Sequence, residues 1–494
     1  MRSIYSPPAL IISALLTGLA QQPLQLGWLA WFGLLPLIFV INRITELRHF
    51  IITGFIWGFT YYFTVIFWMA SNIGTTPPIA FISMLASVSF LALNIVAVSL
   101  IMGILKKRYH QTWFWFFPFV WTSMEYIRSI GPLGFPWVSL ANTQLDFLTL
   151  AQNVEITGIY GISCWIVFIN ILIFNWLVRP YPKNSFSAIF IFILPWLTGL
   201  WLTPQVQTDN VPSLDVAVVQ PNIHLYQKRN TEGAQENINN LLNDSSPAIE
   251  KNVDLIVWPE SSISSYILHS NDYFLLWMIG KLQNSKLIAG IPYFSGEKPE
   301  RKFYNSAVLI GADTIQNIYH KLHLVPMAEY IPLSGYFPSL NKLNLGQANF
   351  THGTDYTIMD VNNVKCAVMI CFESTFPALS RKFVQNGAEV LIYLVNDGWY
   401  EKPPEPQQHA KQAVYRAIET RRPVIRCTNT GISMIIDSRG NISHELPLNE
   451  RGMIQATIKP QKIATFYMCH GDIFAKLNIF ISLLFIIGGI LRKK

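Results

Sequence analysis

The chain has 494 residues, of which 51% are hydrophobic and only 13% charged, against about 25% charged in ordinary soluble domains. With a mean hydropathy of +0.31, this excludes a disordered chain, a collagen-like fibre and a wholly soluble enzyme. The formal net charge of +7 points to nucleic acid or anionic lipid, and the placement of the charges decides between them.

From Met1 to Pro204 the only acids are Glu46, Glu125, Asp146 and Glu155, whereas residues 205–471 hold 23 Lys+Arg and 24 Asp+Glu. The basic excess therefore sits in the apolar flanks. A nearly neutral middle lacks the clustered positive charge that a nucleic-acid groove needs. We divide the chain into 1–204, 205–471 and 472–494.

The first part contains seven apolar stretches, at 8–24, 27–42, 50–71, 78–105, 113–130, 156–178 and 186–204. An eighth, 473–491, follows the middle. A bilayer core needs roughly 20 apolar residues per helix, so a multi-span α-helical membrane bundle is predicted, with a basic tail after the eighth helix. Gly18 and Ala20 leave a cleavable leader as an alternative for the first stretch. Arg2, Arg43, Arg48, Lys106, Lys107, Arg108, Arg179, Lys183, Arg492, Lys493 and Lys494 fall at one set of helix ends, and the loops 21–26, 72–77 and 131–155 have no Lys or Arg. Positive charge stays inside. Both termini are thus expected in the cytoplasm and the polar middle outside, which in a bacterium is the periplasmic side of the inner membrane. Glu125 and Arg128, three apart, could pair at the interface. Gly134-Phe135-Pro136-Trp137 reads as an interfacial aromatic anchor or the lining of a lipid entry.

The middle alternates strand-like runs (214–219, 254–258, 286–291, 305–310, 315–320, 364–370, 389–395 and 423–426) with helical ones near 231–251, 271–284 and 405–421. Short apolar runs between helices indicate a buried sheet covered by helices, with chemistry beyond the carboxyl ends of its strands. Three such ends carry reactive residues: Glu260 after Val257-Trp258-Pro259, Lys321 after Ile318-Tyr319-His320, and Cys371 after Val368-Met369-Ile370. Singly, each has an ordinary structural explanation. Together they supply a nucleophile, its base and a cation. Lys321 would lower the thiol pKa and stabilise an oxyanion. Pro377 suggests a helix starting near Ser374 or Thr375, with its positive end toward Cys371 and the Phe372 N–H as an oxyanion donor.

The strings Trp258-Pro259-Glu260, His320-Lys321-Leu322-His323-Leu324-Val325-Pro326 with Glu329, and Cys371-Phe372-Glu373 resemble the nitrilase superfamily. So do Asn396-Asp397-Gly398-Trp399, Gln408-His409, Arg416-Ala417, Glu419, Arg422-Pro423 and Thr428-Asn429-Thr430-Gly431. With apolar spans on both sides, and Gly134-Phe135-Pro136-Trp137, nearly the whole chain resembles the apolipoprotein N-acyltransferase branch. The resemblance implies a nitrilase-like αββα sandwich and a Glu260, Lys321, Cys371 triad. It also implies a ping-pong reaction in which Cys371 takes an acyl chain from a phospholipid as a thioester. The acceptor is the amino group of a diacylglyceryl-cysteine apolipoprotein. No metal or soluble cofactor is required, and no metal-ligand spacing stands out among the ten His. Phe372 stands where the family commonly has Tyr, and Arg229 follows Lys228 where Trp is common.

Glu329, eight residues beyond Lys321, is expected to orient the ammonium, and Glu373 to position the site. The segment from Tyr330 to Leu340, broken by Pro332, Gly335 and Pro338, is expected to form a lid in which Tyr336, Phe337 and Leu340 contact acyl chains. Cys366 and Cys371 are expected on opposite faces of one strand. A Cys427–Cys469 disulfide is allowed in an oxidising compartment. Competing readings are a membrane-tethered amidase that passes its thioester to water, and a transporter with an outer regulatory domain. The scarcity of intramembrane charge opposes the transporter.

Overall fold

The computed structural model describes residues 6–180, 182–203, 212–224, 231–269, 272–311, 314–334, 336–337, 339–340, 348–400 and 402–491. Arg2, the boundary at Pro204 and Gln205, Lys228, Arg229, Gly335, Pro338, Arg492, Lys493 and Lys494 lie outside the described residues. Two compact units divide the chain: Met1–Pro204 with Pro403–Lys411 and His470–Lys494, and Gln205–Lys402 with Gln412–Cys469.

The first unit is helical. Among the described residues, four runs are long and apolar enough to cross a bilayer: Leu47–Ser71, Pro77–Arg128, Ile159–Val178 and Ile473–Leu491. Shorter apolar helices span Pro7–Leu19, Gly27–Arg43 and Ala188–Leu202. The stretch expected at 27–42 is a short 3-10 turn followed by two helices, Ala30–Gly33 and Leu35–Arg43, with Pro36 in the first turn of the second. Proline cannot donate to the preceding turn, so the break falls there. Leu47–Ile66 packs closely on Pro77–Tyr109 because Gly54 has no side chain; a Cβ there would lie 2.6 Å from Val96 Cα. Small residues allow such approach where packing, not water, joins helices. Outward faces carry Phe55, Ile82, Leu93 and Leu484, all exposed, an apolar surface suited to lipid. Trp57 Nε1 donates to Ser13 Oγ at 2.9 Å, which ties the first helix into this unit.

Glu125 and Arg128 do not form the expected pair; each has other partners. Glu125 accepts from Ser139 Oγ (2.7 Å), Leu140 N (2.9 Å) and Trp121 Nε1 (3.1 Å). Arg128 donates to Tyr62 Oη at 2.7 Å and to Phe135 O at 3.3 Å. Trp137 is buried rather than at an outer rim. Gln408, within Pro403–Lys411, explains that. Its Oε1 accepts from Trp137 Nε1 at 2.8 Å and Trp68 Nε1 at 3.2 Å, while its Nε2 donates to the carbonyls of Gln22 and Val65.

The second unit holds two six-stranded sheets. Its strands are β1 Leu214–Gln220, β2 Leu255–Val257, β3 Lys286–Ser295, β4 Lys302–Ile310, β5 Ile315–His320, β6 Ile358–Val361, β7 Val364–Ile370, β8 Val390–Val395, β9 Val424–Thr428, β10 Ser433–Ile436, β11 Ile442–Leu446 and β12 Gly452–Ile458. The orders are β12-β1-β2-β3-β4-β5 and β11-β10-β9-β8-β7-β6. Parallel pairs β1-β2-β3 and β7-β8-β9 form the two centres. These strands are apolar without alternation because both faces are covered; all of Val390–Val395 is buried. Ile238, Leu241 and Ile249 of the helix Thr231–Glu250 pack with Ala217, Ile256 and Trp258. The sheets face each other: the Cys427 thiol on β9 donates to the carbonyls of Val219 and Val257. Cys427 is fully buried, Cys469 is exposed, and both are free thiols, so the disulfide that the sequence allowed is not formed.

Candidate active site

Each of the three expected residues follows a strand. Glu260 comes three residues after β2, Lys321 directly after β5 and Cys371 directly after β7. The first two belong to one sheet and the third to the other. The sandwich brings their side chains together.

Lys321 is fully buried, and its Nζ sits 2.9 Å from Glu329 Oε2, 3.0 Å from Glu329 Oε1 and 3.8 Å from Glu260 Oε1. Burial opposes its charge, but Glu329 and Glu260 outweigh burial and raise its pKa. Glu329 also accepts from Val325 N at 2.7 Å, which closes the turn between the acid and the lysine. Glu260 is pushed up by burial, against the pull of Lys321 and of hydrogen bonds from Asn305 and Cys371. A carboxyl held in this way can take up and release a proton.

Cys371 does not share the strand with Cys366. The strand ends at Ile370, and Cys371 opens a 3-10 turn, Cys371–Thr375, with φ of +53°. A non-glycine residue there is strained, and such strain persists only where its surroundings enforce it. Ser374 Oγ donates to Cys371 O at 2.9 Å, Thr375 Oγ1 to Phe372 O at 2.7 Å, and Arg416 Nη1 to Thr375 O at 3.2 Å. Arg416 is itself held by Glu419 at 2.8 Å. The following helix, Pro377–Gln385, begins at the proline, later than expected. Burial, then Glu260, pushes the Cys371 thiol well up, and the opposing charge of Lys321 does not reverse this. Lys321 does pull the thiol down, as expected, but burial and the neighbouring Glu260 outweigh it.

Glu373 links the two sheets. It is fully buried and accepts from Leu322 N (2.7 Å), His323 N (2.9 Å), Ile370 N (2.7 Å) and Tyr319 Oη (2.8 Å to each oxygen). One carboxylate thus fixes the turn after Lys321 against the turn of Cys371. Burial pushes it up to about 7, with Lys321 and the backbone donors pulling the other way. The Phe372 ring packs edge-on against Phe376, at 5.0 Å between centroids. Tyr336 and Phe337 are exposed and Leu340 is half-buried.

Two residues of the site were not anticipated. Asn305 on β4 donates its Nδ2 to Glu260 Oε1 at 2.7 Å and to Glu329 Oε1 at 3.0 Å. Its backbone carbonyl accepts from Lys321 N at 2.9 Å. The available signal was a buried polar residue on the strand face shared with Ala307 and Leu309. Gly290 on β3 lets the Glu260 turn close over it; a Cβ would lie 2.7 Å from Glu260 Cα and from Pro259 O.

Residues 215–467 match the carbon-nitrogen hydrolase family, and residues 13–172 match the apolipoprotein N-acyltransferase N-terminal domain. The apolipoprotein N-acyltransferase of Geobacter metallireducens is 30% identical, over 94% of this chain and 91% of its own length. That of Chlorobaculum tepidum is 27% identical over 98% and 96%, and that of Thermotoga maritima 28% over 96% and 91%. The resemblance carried by the strings around Glu260, Lys321 and Cys371 is borne out along the whole chain, and the protein belongs to the apolipoprotein N-acyltransferase family, the membrane-embedded branch of the nitrilase superfamily.

Proposed function

We propose that the protein moves an acyl chain from a phospholipid to the N-terminal amino group of a diacylglyceryl-cysteine apolipoprotein, through a thioester on Cys371. The observation that carries this reading is the buried Lys321 ammonium between Glu260 and Glu329, beside a strained turn that starts at Cys371. Glu260 takes the thiol proton as sulfur attacks the ester carbonyl. The oxyanion meets Lys321 and the Phe372 N–H, where one such donor is worth about 10²–10³ in rate. Collapse expels the lysophospholipid alkoxide, which receives the proton from Glu260. The acceptor amine then attacks the thioester and gives its proton to Glu260. The thiolate leaves and is reprotonated as the amide forms. Glu329 and Glu373 touch no reacting atom in this scheme and act as positioning residues.

The reading also places residues 205–471 on the periplasmic side of the bacterial inner membrane, 1–204 and 472–494 within it, and both termini in the cytoplasm. The alternation of Lys and Arg along the helix ends supports this. A single cysteine near Asn243 should react with an impermeant thiol reagent and one near Lys107 should not, in a chain whose Cys371 and exposed Cys469 have been replaced. The reverse pattern would invert the topology.

Intact mass after incubation with phospholipid tests the chemistry. One acyl chain should be gained, be lost on hydroxylamine treatment, and be absent from Cys371→Ala. Equal acylation of Cys371→Ala would refute the thioester. Transfer of the label to an added amine rather than to water separates a transferase from an amidase.

A further inference from the structure

The inference concerns the acyl donor and rests on the proposed phospholipid reaction. On β3 and β4, Phe294 stands opposite Phe303, and Pro292 opposite Asn305. Side chains two apart share a face, so Phe303 lies on the face that carries Asn305 toward Glu260, about 7 Å further along the strand. Around Phe294 a stack is built. The His269 ring lies parallel to it at 3.7 Å, and the Arg301 guanidinium carbon lies 4.0 Å from the same centroid. Two groups that close to one ring centre cannot share a face, so His269 and Arg301 sandwich Phe294. Tyr266 closes the cluster at 5.3 Å from Phe294 and 6.2 Å from Phe303. Tyr266 and Phe303 remain exposed.

Arg301 is held by the ring rather than by a carboxylate. Among the described residues it makes no ion pair and no hydrogen bond, and its Nε is buried without a partner. Glu297 and Glu300 of the same hairpin do not pair with it. A guanidinium seated over an aromatic ring keeps its N–H donors free for an anion at its edge. That edge matches a phosphate bidentately, and the rings beside it match glycerol and the first methylenes of an acyl chain.

We propose that Arg301, seated on the platform of Phe294 with Tyr266 and Phe303, binds the phosphodiester of the acyl donor. In a phospholipid only the glycerol separates that group from the ester carbonyl. The short run along β4 from Phe303 to Asn305 therefore spans from the headgroup to the carboxylate that serves Cys371.

The test compares two donors with identical acyl chains in one detergent, a phospholipid and a diacylglycerol, by the rate of mass gain on Cys371. In Arg301→Ala the ratio of phospholipid to diacylglycerol rates should fall about ten- to hundredfold, the range for a lost charge-assisted contact. Phe294→Leu, which keeps the cation and removes its platform, should lower the ratio severalfold. An unchanged ratio in Arg301→Ala, including equal loss with both donors, overturns the assignment. Inorganic phosphate slowing both donors equally would assign the cation to a free anion and also overturn it. If the parent protein is acylated by diacylglycerol and not by phospholipid, the donor reading itself fails, a result distinct from failure at Arg301.

Discussion

Asn305 on β4 holds Glu260, which follows β2 on the far side of β3, with Nδ2 at 2.7 Å from Oε1. The same nitrogen reaches Glu329, so one amide keeps two carboxylates apart around one lysine. Asn305→Leu preserves volume and removes that donor. A buried acceptor left unpaired costs about 1–3 kcal/mol, so acylation of Cys371 should slow about ten- to hundredfold with far-ultraviolet circular dichroism unchanged. Asn305→Asp should be worse, because it adds a third carboxylate. A parent-like rate in Asn305→Leu would mean that Lys321 alone orders Glu260.

The pH dependence follows from Glu260. Burial raises its pKa above the usual carboxylate range. In the proposed mechanism Glu260 must be ionised to accept the thiol proton, so the rate should rise with pH through that raised value and be lost below it. Single-turnover acylation by a short-chain ester, from about pH 5 to about pH 9, should show an acid limb above the range of free carboxylates. Glu260→Gln should abolish the limb with most of the rate. A limb in the ordinary carboxylate range would place the ionising group elsewhere.

Gly290→Ala tests the seat of Glu260 sterically. The added Cβ would meet Glu260 Cα and Pro259 O at 2.7 Å, and backbone cannot yield as a flexible side chain does. Overpacking typically costs about 1–3 kcal/mol, so the variant should melt several degrees lower and acylate far more slowly than its loss of stability explains. Full activity at reduced stability would show that the Glu260 turn shifts without consequence.

Glu260 and Cys371 could be singled out from sequence because each follows an apolar parallel strand. Lys321 follows the half-polar antiparallel strand β5 and is singled out by its position at a strand end. The turn at Cys371 could not be read in this way. A glycine would have announced a positive φ, whereas this cysteine is forced into one by Glu373, Ser374 and Arg416, from both near and far in the chain. Asn305 was hidden for a similar reason, since its partners lie 45 and 24 residues away. The strands β6 and β10 to β12 also escaped notice. Ile442–Leu446 is half exposed and polar, Ser-His-Glu at its centre, so it lacks the buried pattern that marks β8. In the helical unit, composition announced apolar segments but not their breaks, such as the one ahead of Pro36.

The segment after Glu329 gives the last prediction. Its start is anchored by the buried Ile331, and Leu333, with φ of +63°, turns the chain outward. Tyr336 N and Phe337 N donate to Leu333 O at 3.0 and 2.9 Å, and Leu340 N to Phe337 O at 2.9 Å. Tyr336 is 81% exposed and Phe337 59% exposed. Large apolar side chains held outward by backbone turns contribute nothing to the core, and they can gain by meeting an acyl chain. Burying one such group stabilises by about 1.5–3 kcal/mol, and about 1.4 kcal/mol is tenfold in affinity. Phe337→Ser combined with Leu340→Ser should therefore raise KM for long-chain donors at least tenfold. A short-chain, water-soluble ester needs no such contact and should acylate Cys371 at close to the parent rate, because Ile331, Glu329 and Lys321 are untouched. Equal loss with both donors would mean that the coil supports the Glu329 turn, and the lid assignment would fall.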